Sequence, residues 1–293
     1  MSRGRGIDHL VIVVEALAAA RDQYAKLGFR TTPLGLHPWG TGNHLVQLRR
    51  NFIELLGVIN PDALEPMSGG QFSFGAHNAE FLRRREGMSM LVLSTEDARA
   101  DAVEWRARDL RVYEPFHWSR QATLPDGSEL TVAFTLTFVT NPQMPEIAFF
   151  SCQQHNPEAF WKPEFQLHDN GATAISGVTL VDEDPPRHKA FFASLMGDAD
   201  MDEARDSLIV HSGDGVIRVL SPARFAEHFP DMQPAQAPAG TAFKAATIDA
   251  SDLDQVARYL ADNGVDFVRR DASIQVAERQ CCGLALEFVH APA

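Results

Sequence analysis

Cysteine and long apolar runs are what this 293-residue chain has least of. Its three cysteines, Cys152 and the adjacent pair Cys281 and Cys282, are odd in number and follow no framework spacing. That pattern argues against a disulfide scaffold and for a reducing, cytoplasmic setting. No apolar stretch approaches the roughly 20 residues that span a bilayer. The first residues, Met1 to Gly6, hold two arginines but no apolar region ahead of a cleavage site, so no signal peptide is expected. Positive charge is short as well: 26 Lys and Arg against 39 Asp and Glu leave a net charge of −13. Such a surface repels nucleic acid and anionic membranes, so neither is an expected partner. The one basic cluster, Arg83-Arg84-Arg85, reads first as a solvated helix end and second as an anion-docking site. A phosphate loop, a dinucleotide fingerprint and a nucleophile elbow are all missing.

What is present is a short unit of mixed structure. Residues 7–14 form a β-branched run of strand length. Residues 16–27 are Ala-rich, with Leu17, Ala20, Tyr24 and Leu27 spaced for one helix face. Gly28 stops the helix and residues 29–32 restart extended chain. A Gly/Pro-rich turn over 33–42 leads to strands at 44–48 and 52–58, joined through Arg49-Arg50-Asn51. The order is β-α-β-β-β. His9 and Glu54 interrupt otherwise apolar strands, each on the face shared with apolar neighbours. An inward carboxylate is costly without a cation, a donor or a metal beside it.

The unit recurs. Strand 87–94, helix 98–110, strand 111–119, a hairpin turning at Asp126-Gly127 and a strand at 146–151 repeat the order, after a linking segment with a short helix at 76–85. Both copies end in Asn-Pro, at Asn60 and Asn156. A third copy has strand 174–181, helix 188–196 and strands 207–211 and 216–220 around Gly213-Asp214-Gly215. After a Pro-rich linker at 230–240, a fourth has strand 242–248, helix 253–263 and strands 265–269, 273–277 and 284–289. A curved sheet cannot bury its own concave face, so the units are expected to pair. The expected fold is α+β, four βαβββ units in two paired barrels at 1–168 and 169–293. The strand–strand hairpins exclude a doubly wound sheet.

Asp8-His9-Leu10-Val11, Leu27-Gly28-Phe29 and Phe52-Ile53-Glu54-Leu55-Leu56, in this order and spacing, resemble the vicinal-oxygen-chelate superfamily of glyoxalase I, extradiol dioxygenases and bleomycin-resistance-type binding proteins. Residues His37 to Asn43 are similar to the His-Pro and Gly-Thr-x-Asn stretch of its glyoxalase-like branch. The resemblance covers nearly the whole chain and implies metal ligands on the first and last strands of two paired units. Carried onto this chain it makes His9 and Glu54 ligands of a divalent Fe, Mn, Ni or Zn ion, types both side chains suit. The second unit departs from the pattern, with Met90 and Phe150 at the matching positions. His155 is then the expected third ligand. Strand parity from Phe150 favours Gln154 or Cys152 instead unless a bulge intervenes, and His117 is a further option. In the third and fourth units the matching positions fall near Ser176-Gly177 and Ala245, and at Arg218 and Glu287. Without the two histidines of an extradiol site, the C-terminal pair is expected to be structural.

Beside the first cleft, Trp39 is placed to stack on a substrate and Asn43 to fix a carbonyl or carboxylate, with His37 and Gln154 as further contacts and His44 nearby. The same stretch also reads as a tight turn capped by Asn and Thr side chains. Cys152 has no nearby feature that would activate its thiol. The resemblance implies a lyase or isomerase that chelates neighbouring oxygens of a small substrate on a metal, with Glu54 as a ligand or the base. A metal-free binding protein of the resistance type and an extradiol-type dioxygenase are the alternatives. The expected partner is a small-molecule substrate, and a homodimer is an open option.

Overall fold

The computed structural model describes residues 5–123, 129–197, 199–230 and 240–292. The first unit comprises β1 (Ile7–Val13), α1 (Leu17–Lys26), β2 (Gly35–Leu36), β3 (Thr41–Gln47) and β4 (Phe52–Val58). After α2 (Phe74–Leu82), the second comprises β5 (Gly87–Ser94), α3 (Ala98–Ala107), β6 (Arg111–Val112), β7 (Phe116–Thr123), β8 (Glu129–Thr140) and β9 (Ala148–Gln154). The short α4 (Pro157–Phe160) leads to the third, with β10 (Ala172–Val181), α5 (Lys189–Met196), β11 (Met201–Ala204), β12 (Ser207–His211) and β13 (Val216–Leu220). Then come α6 (Pro222–His228) and the fourth unit, β14 (Ala242–Ala250), α7 (Leu253–Asp262), β15 (Val268–Arg269), β16 (Ser273–Val276) and β17 (Ala285–His290).

The units pair as expected. β1 and β5 run antiparallel and join the first two units into one nine-stranded sheet, while β10 and β14 join the last two into an eight-stranded sheet. Each sheet is an open path, from β2 to β6 and from β11 to β15, and neither closes into a barrel. The fold is α+β, with paired βαβββ units.

Every residue of β1 is buried, because the strand has packing on both faces. One face, with Leu10 and Ile12, joins a core that spans both sheets. Helix residues Tyr24, Trp105, Phe192 and Leu260 fill that core, and the Trp105 indole donates to the Leu195 carbonyl across the two sheets (3.0 Å). The other face carries His9 and Val11 toward the first sheet's concavity. α1 ends where Gly28 takes φ +90°, with Asn170 so close that an added Cβ would lie 2.7 Å from its side chain. Both the left-handed backbone and the contact call for glycine there.

Several boundaries differ from the sequence expectation. Residues 29–32 pair with no strand over their length, although the Thr32 N–H bonds the Leu45 carbonyl. The expected strand at 111–119 is two, β6 and β7, interrupted around Pro115. β11 and α6 were not expected, and α6 sends Phe225 to pack with Phe229, Ala245 and Ala285. The Asp126-Gly127 turn and the 231–239 part of the Pro-rich linker lie outside the described residues. No described helix is long and apolar enough to cross a membrane.

The registers fix which positions correspond. Val11 pairs with Glu54, Val92 with Phe150, Thr179 with Arg218 and Thr247 with Glu287. Two residues before each first-strand partner stand His9, Met90, Gly177 and Ala245. This is the correspondence the sequence repeat suggests.

Candidate functional site

His9 and Glu54 come from neighbouring parallel strands and are 5% and 6% exposed. The β1–β5 register passes from Ile7–Leu93 to His9–Val92, which leaves Asp8 as an extra residue in β1. This irregularity brings two consecutive side chains together, as bulges do. The His9 Nδ1–H donates to Asp8 Oδ1 at 2.5 Å, the direction a carboxylate partner requires. Asp8 Oδ2 accepts from Gln154 Nε2 (3.0 Å), and Gln154 Oε1 accepts from Trp161 Nε1 (3.1 Å). Phe52 stacks on the His9 ring at 4.1 Å and Phe150 meets it edge-on at 5.5 Å. Orientation and tautomer of His9 are therefore set from behind.

In front, His9 Nε2 stands 3.8 Å from Glu54 Oε2, too far for a hydrogen bond. Glu54 Oε1 accepts from Asn43 Nδ2 at 2.6 Å. Asn43 Nδ2 also lies 3.3 Å from His37 Nε2, and His37 Nδ1 lies 2.8 Å from Thr41 Oγ1. Burial is the main force lowering the His37 pKa; the Glu54 charge opposes it and Arg120 adds to it. A neutral His37 can accept from Asn43 and donate to Thr41, which holds Asn43 and so Glu54 in place.

These groups open onto a cavity of about 690 Å³. Ten of the lining residues are Phe or Trp, so its walls are aromatic. The β7–β8 hairpin contributes Trp118 and Phe134, and the loop after β2 contributes Trp39, stacked on His37 at 4.9 Å. The Trp39 indole N–H is buried and has no hydrogen-bond partner among the described residues. Cys152 also lines the cavity, and its thiol is pushed well above its ordinary pKa by burial and then by the Asp8 and Glu54 charges. It is a poor nucleophile.

The structure thus brings His9, His37, Trp39, Asn43 and Glu54 to one cavity. Two expected residues are placed otherwise. His155 is outside the lining, with Nε2 held by Thr135 Oγ1 at 2.8 Å. Gln154 contacts Asp8 rather than the cavity. His117 does line the cavity, and Thr135 Oγ1 bonds its Nδ1 at 3.1 Å. His44 is turned away, its Nδ1–H donating to the Thr32 carbonyl. Asp8 and Trp161 carry no role in the sequence reading. An acidic residue beside an in-strand histidine was the signal for Asp8, but strict alternation assigns it to the opposite face. Nothing in sequence links Trp161 to Asp8.

The donor set does not fit the divalent ion that the resemblance implies. Protein sites for such ions use three or four side-chain ligands, whereas the register places Met90 and Phe150 where the second unit would supply its share. Among the described residues, no group of three His, Cys, Asp or Glu side chains is arranged to hold a metal. The C-terminal pair is further removed: Gly177 and Ala245 replace His9, and Glu287 bonds Gln275 (3.0 Å) and His228 (3.2 Å).

Comparison with known proteins places this architecture. The profile of a family described as Glyoxalase-like domain matches residues 7–196, from β1 to the end of α5. The chain belongs to the glyoxalase-like domain family. Its fold is that of the vicinal-oxygen-chelate superfamily. Among solved structures, this glyoxalase-like chain is similar to a hypothetical protein from Staphylococcus aureus, with 15% identity and a TM-score of 0.68 over 97% of this chain and 98% of the other. It is similar to the Mn(II)-bound glyoxalase from Novosphingobium aromaticivorans at 10% identity and TM-score 0.58, over 99% and 83% of the two chains. A mutant 4-hydroxymandelate synthase from Streptomyces coelicolor shares 11% identity and TM-score 0.56, over 98% and 93%. At such identities the likeness shows the fold alone. No curated protein matches the sequence.

Proposed function

We propose that this glyoxalase-like protein is an acid–base enzyme of the lyase or isomerase type, acting on a small carbonyl compound in the N-terminal cavity. One observation carries the reading: Asp8 holds His9 Nδ1–H, so Nε2 presents its lone pair 3.8 Å from Glu54 Oε2 with no hydrogen-bond partner among the described residues. An imidazole so oriented is a general base. His9 Nε2 takes a proton from the carbon next to the carbonyl, and the electron pair moves into an enolate. Asp8 stabilises the imidazolium formed, while Glu54 stands beside Nε2 to accept the proton or assist its return to the neighbouring carbon or a leaving group. On this reading the site belongs to residues 1–168, and 169–293 support it.

A screen in D2O tests it. Aromatic ketones and α-hydroxyketones are followed by proton NMR for loss of the α-hydrogen signal, with and without added Mn(II). Exchange that needs the protein, needs no metal and disappears in His9→Gln supports the reading. Exchange only with Mn(II) restores the metal-dependent mechanism. Binding without exchange favours the second reading, a metal-free small-molecule binding protein, for which the aromatic lining speaks.

A further inference from the structure

The cavity floor is acidic. Glu54 lines the cavity and Asp8 stands behind the His9 ring, each 6% exposed, two carboxylates to a single imidazole. Among the described residues, no lysine or arginine lines the cavity. Glu65 and Glu114 add acidic groups to the lining nearer solvent; Glu114 is paired with Arg106 at 2.7 Å, outside the lining. Arg120, whose charge acts on His37, is exposed and also outside it. A carboxylate or phosphate entering this space would lose its water beside buried carboxylates and gain no cation. An ammonium would gain the Glu54 carboxylate and the faces of aromatic rings such as Trp39 and Trp118.

We infer that the cavity selects organic cations, an aromatic or compact body bearing a protonated amine or quaternary ammonium, over carboxylates and phosphates. The inference rests on the reading that this cavity is the substrate site, and it narrows the substrate to a carbonyl compound carrying such a group. The acidic chain, with net charge −13, attracts the same class from solution.

The test uses the full chain and three probes of similar size, benzyltrimethylammonium, benzyl alcohol and benzoate, titrated by calorimetry at fixed salt. Trp39 and Trp118 provide a parallel fluorescence signal. The ammonium is expected to bind about tenfold or more tighter than the alcohol, with benzoate weakest. Glu54→Gln is expected to reduce the ammonium preference about tenfold. Benzoate binding as tightly as the ammonium, or no ammonium binding at millimolar concentration, overturns the inference on the wild-type protein alone, whether or not the variant folds. Ammonium preference without any α-hydrogen exchange would refute the proton-transfer reading and leave this one standing. Exchange of an anionic or neutral ketone without ammonium preference would do the reverse.

Discussion

Asn51 offers a test of how the two halves are held together. It is fully buried, its Nδ2 donates to the Ile175 carbonyl and its Oδ1 accepts from the Ile175 N–H, both at 2.8 Å. β10 pairs with β13 only from Gly177 onward, so its first residues lack a strand on that side. The turn between β3 and β4 takes that place: Arg49 N–H bonds the Thr173 carbonyl at 2.9 Å, and the Asn51 amide completes the edge. Asn51→Leu removes both side-chain bonds and leaves two buried backbone groups of Ile175 unpaired. At about 1–3 kcal/mol for each such group, the cost is on the order of 2–6 kcal/mol. Urea unfolding at pH 7.5, followed by circular dichroism, is the assay, with Asn51→Asp as a companion that keeps the acceptor and loses the donor. A loss below about 0.5 kcal/mol in Asn51→Leu would refute the claim that this amide closes an otherwise bare strand edge.

Two further outcomes follow from buried titratable groups. Burial lowers the His77 pKa from 6.5 to about 4, and its Nε2 has no partner among the described residues. The neutral form is the one folding favours, so its contribution is complete above pH 6.5 and is lost as pH falls toward 4. His77→Leu should remove on the order of 3 kcal/mol of acid sensitivity between pH 7 and 4, read from urea midpoints at several pH values; an unchanged pH slope would contradict the assignment. The thiols of Cys152 and Cys281 lie well above their ordinary pKa and that of Cys282 at about 12, burial being the main cause in each. Iodoacetamide at pH 8 should leave all three intact in the folded protein and modify them in urea, as counted by mass spectrometry.

The repeat was legible because it is written in periodicity: β1, β4, β5 and β12 are short β-branched or apolar runs, bounded by glycine or polar turns. Aligning the units by their ends located Met90 and Phe150, and the registers place them there. α6 was missed although its start carries a readable cap, Ser221 Oγ accepting from the Arg224 N–H ahead of Pro222. The split of β6 from β7 traces to Pro115, which cannot donate to a ladder. In the site, strand alternation found His9 and Glu54 but misplaced Asp8, because an irregularity in register cannot be read from a period of two. His155 is singled out in the sequence by nearness to the end of β9, and Gln154 by strand parity from Phe150. Their contacts with Thr135 and Asp8 depend on how β8 and β1 lie in space.

The state of His9 bears most directly on the site. Nitrogen-15 NMR of histidine-labelled protein at pH 8, assigned with His9→Gln, reports which ring nitrogen carries the proton. The account predicts the Nδ1–H tautomer, held by Asp8, with Nε2 unprotonated toward Glu54, and its disruption in Asp8→Asn. A His9 ring protonated on Nε2 in the wild-type protein would leave no base facing the cavity and would contradict the proposed chemistry.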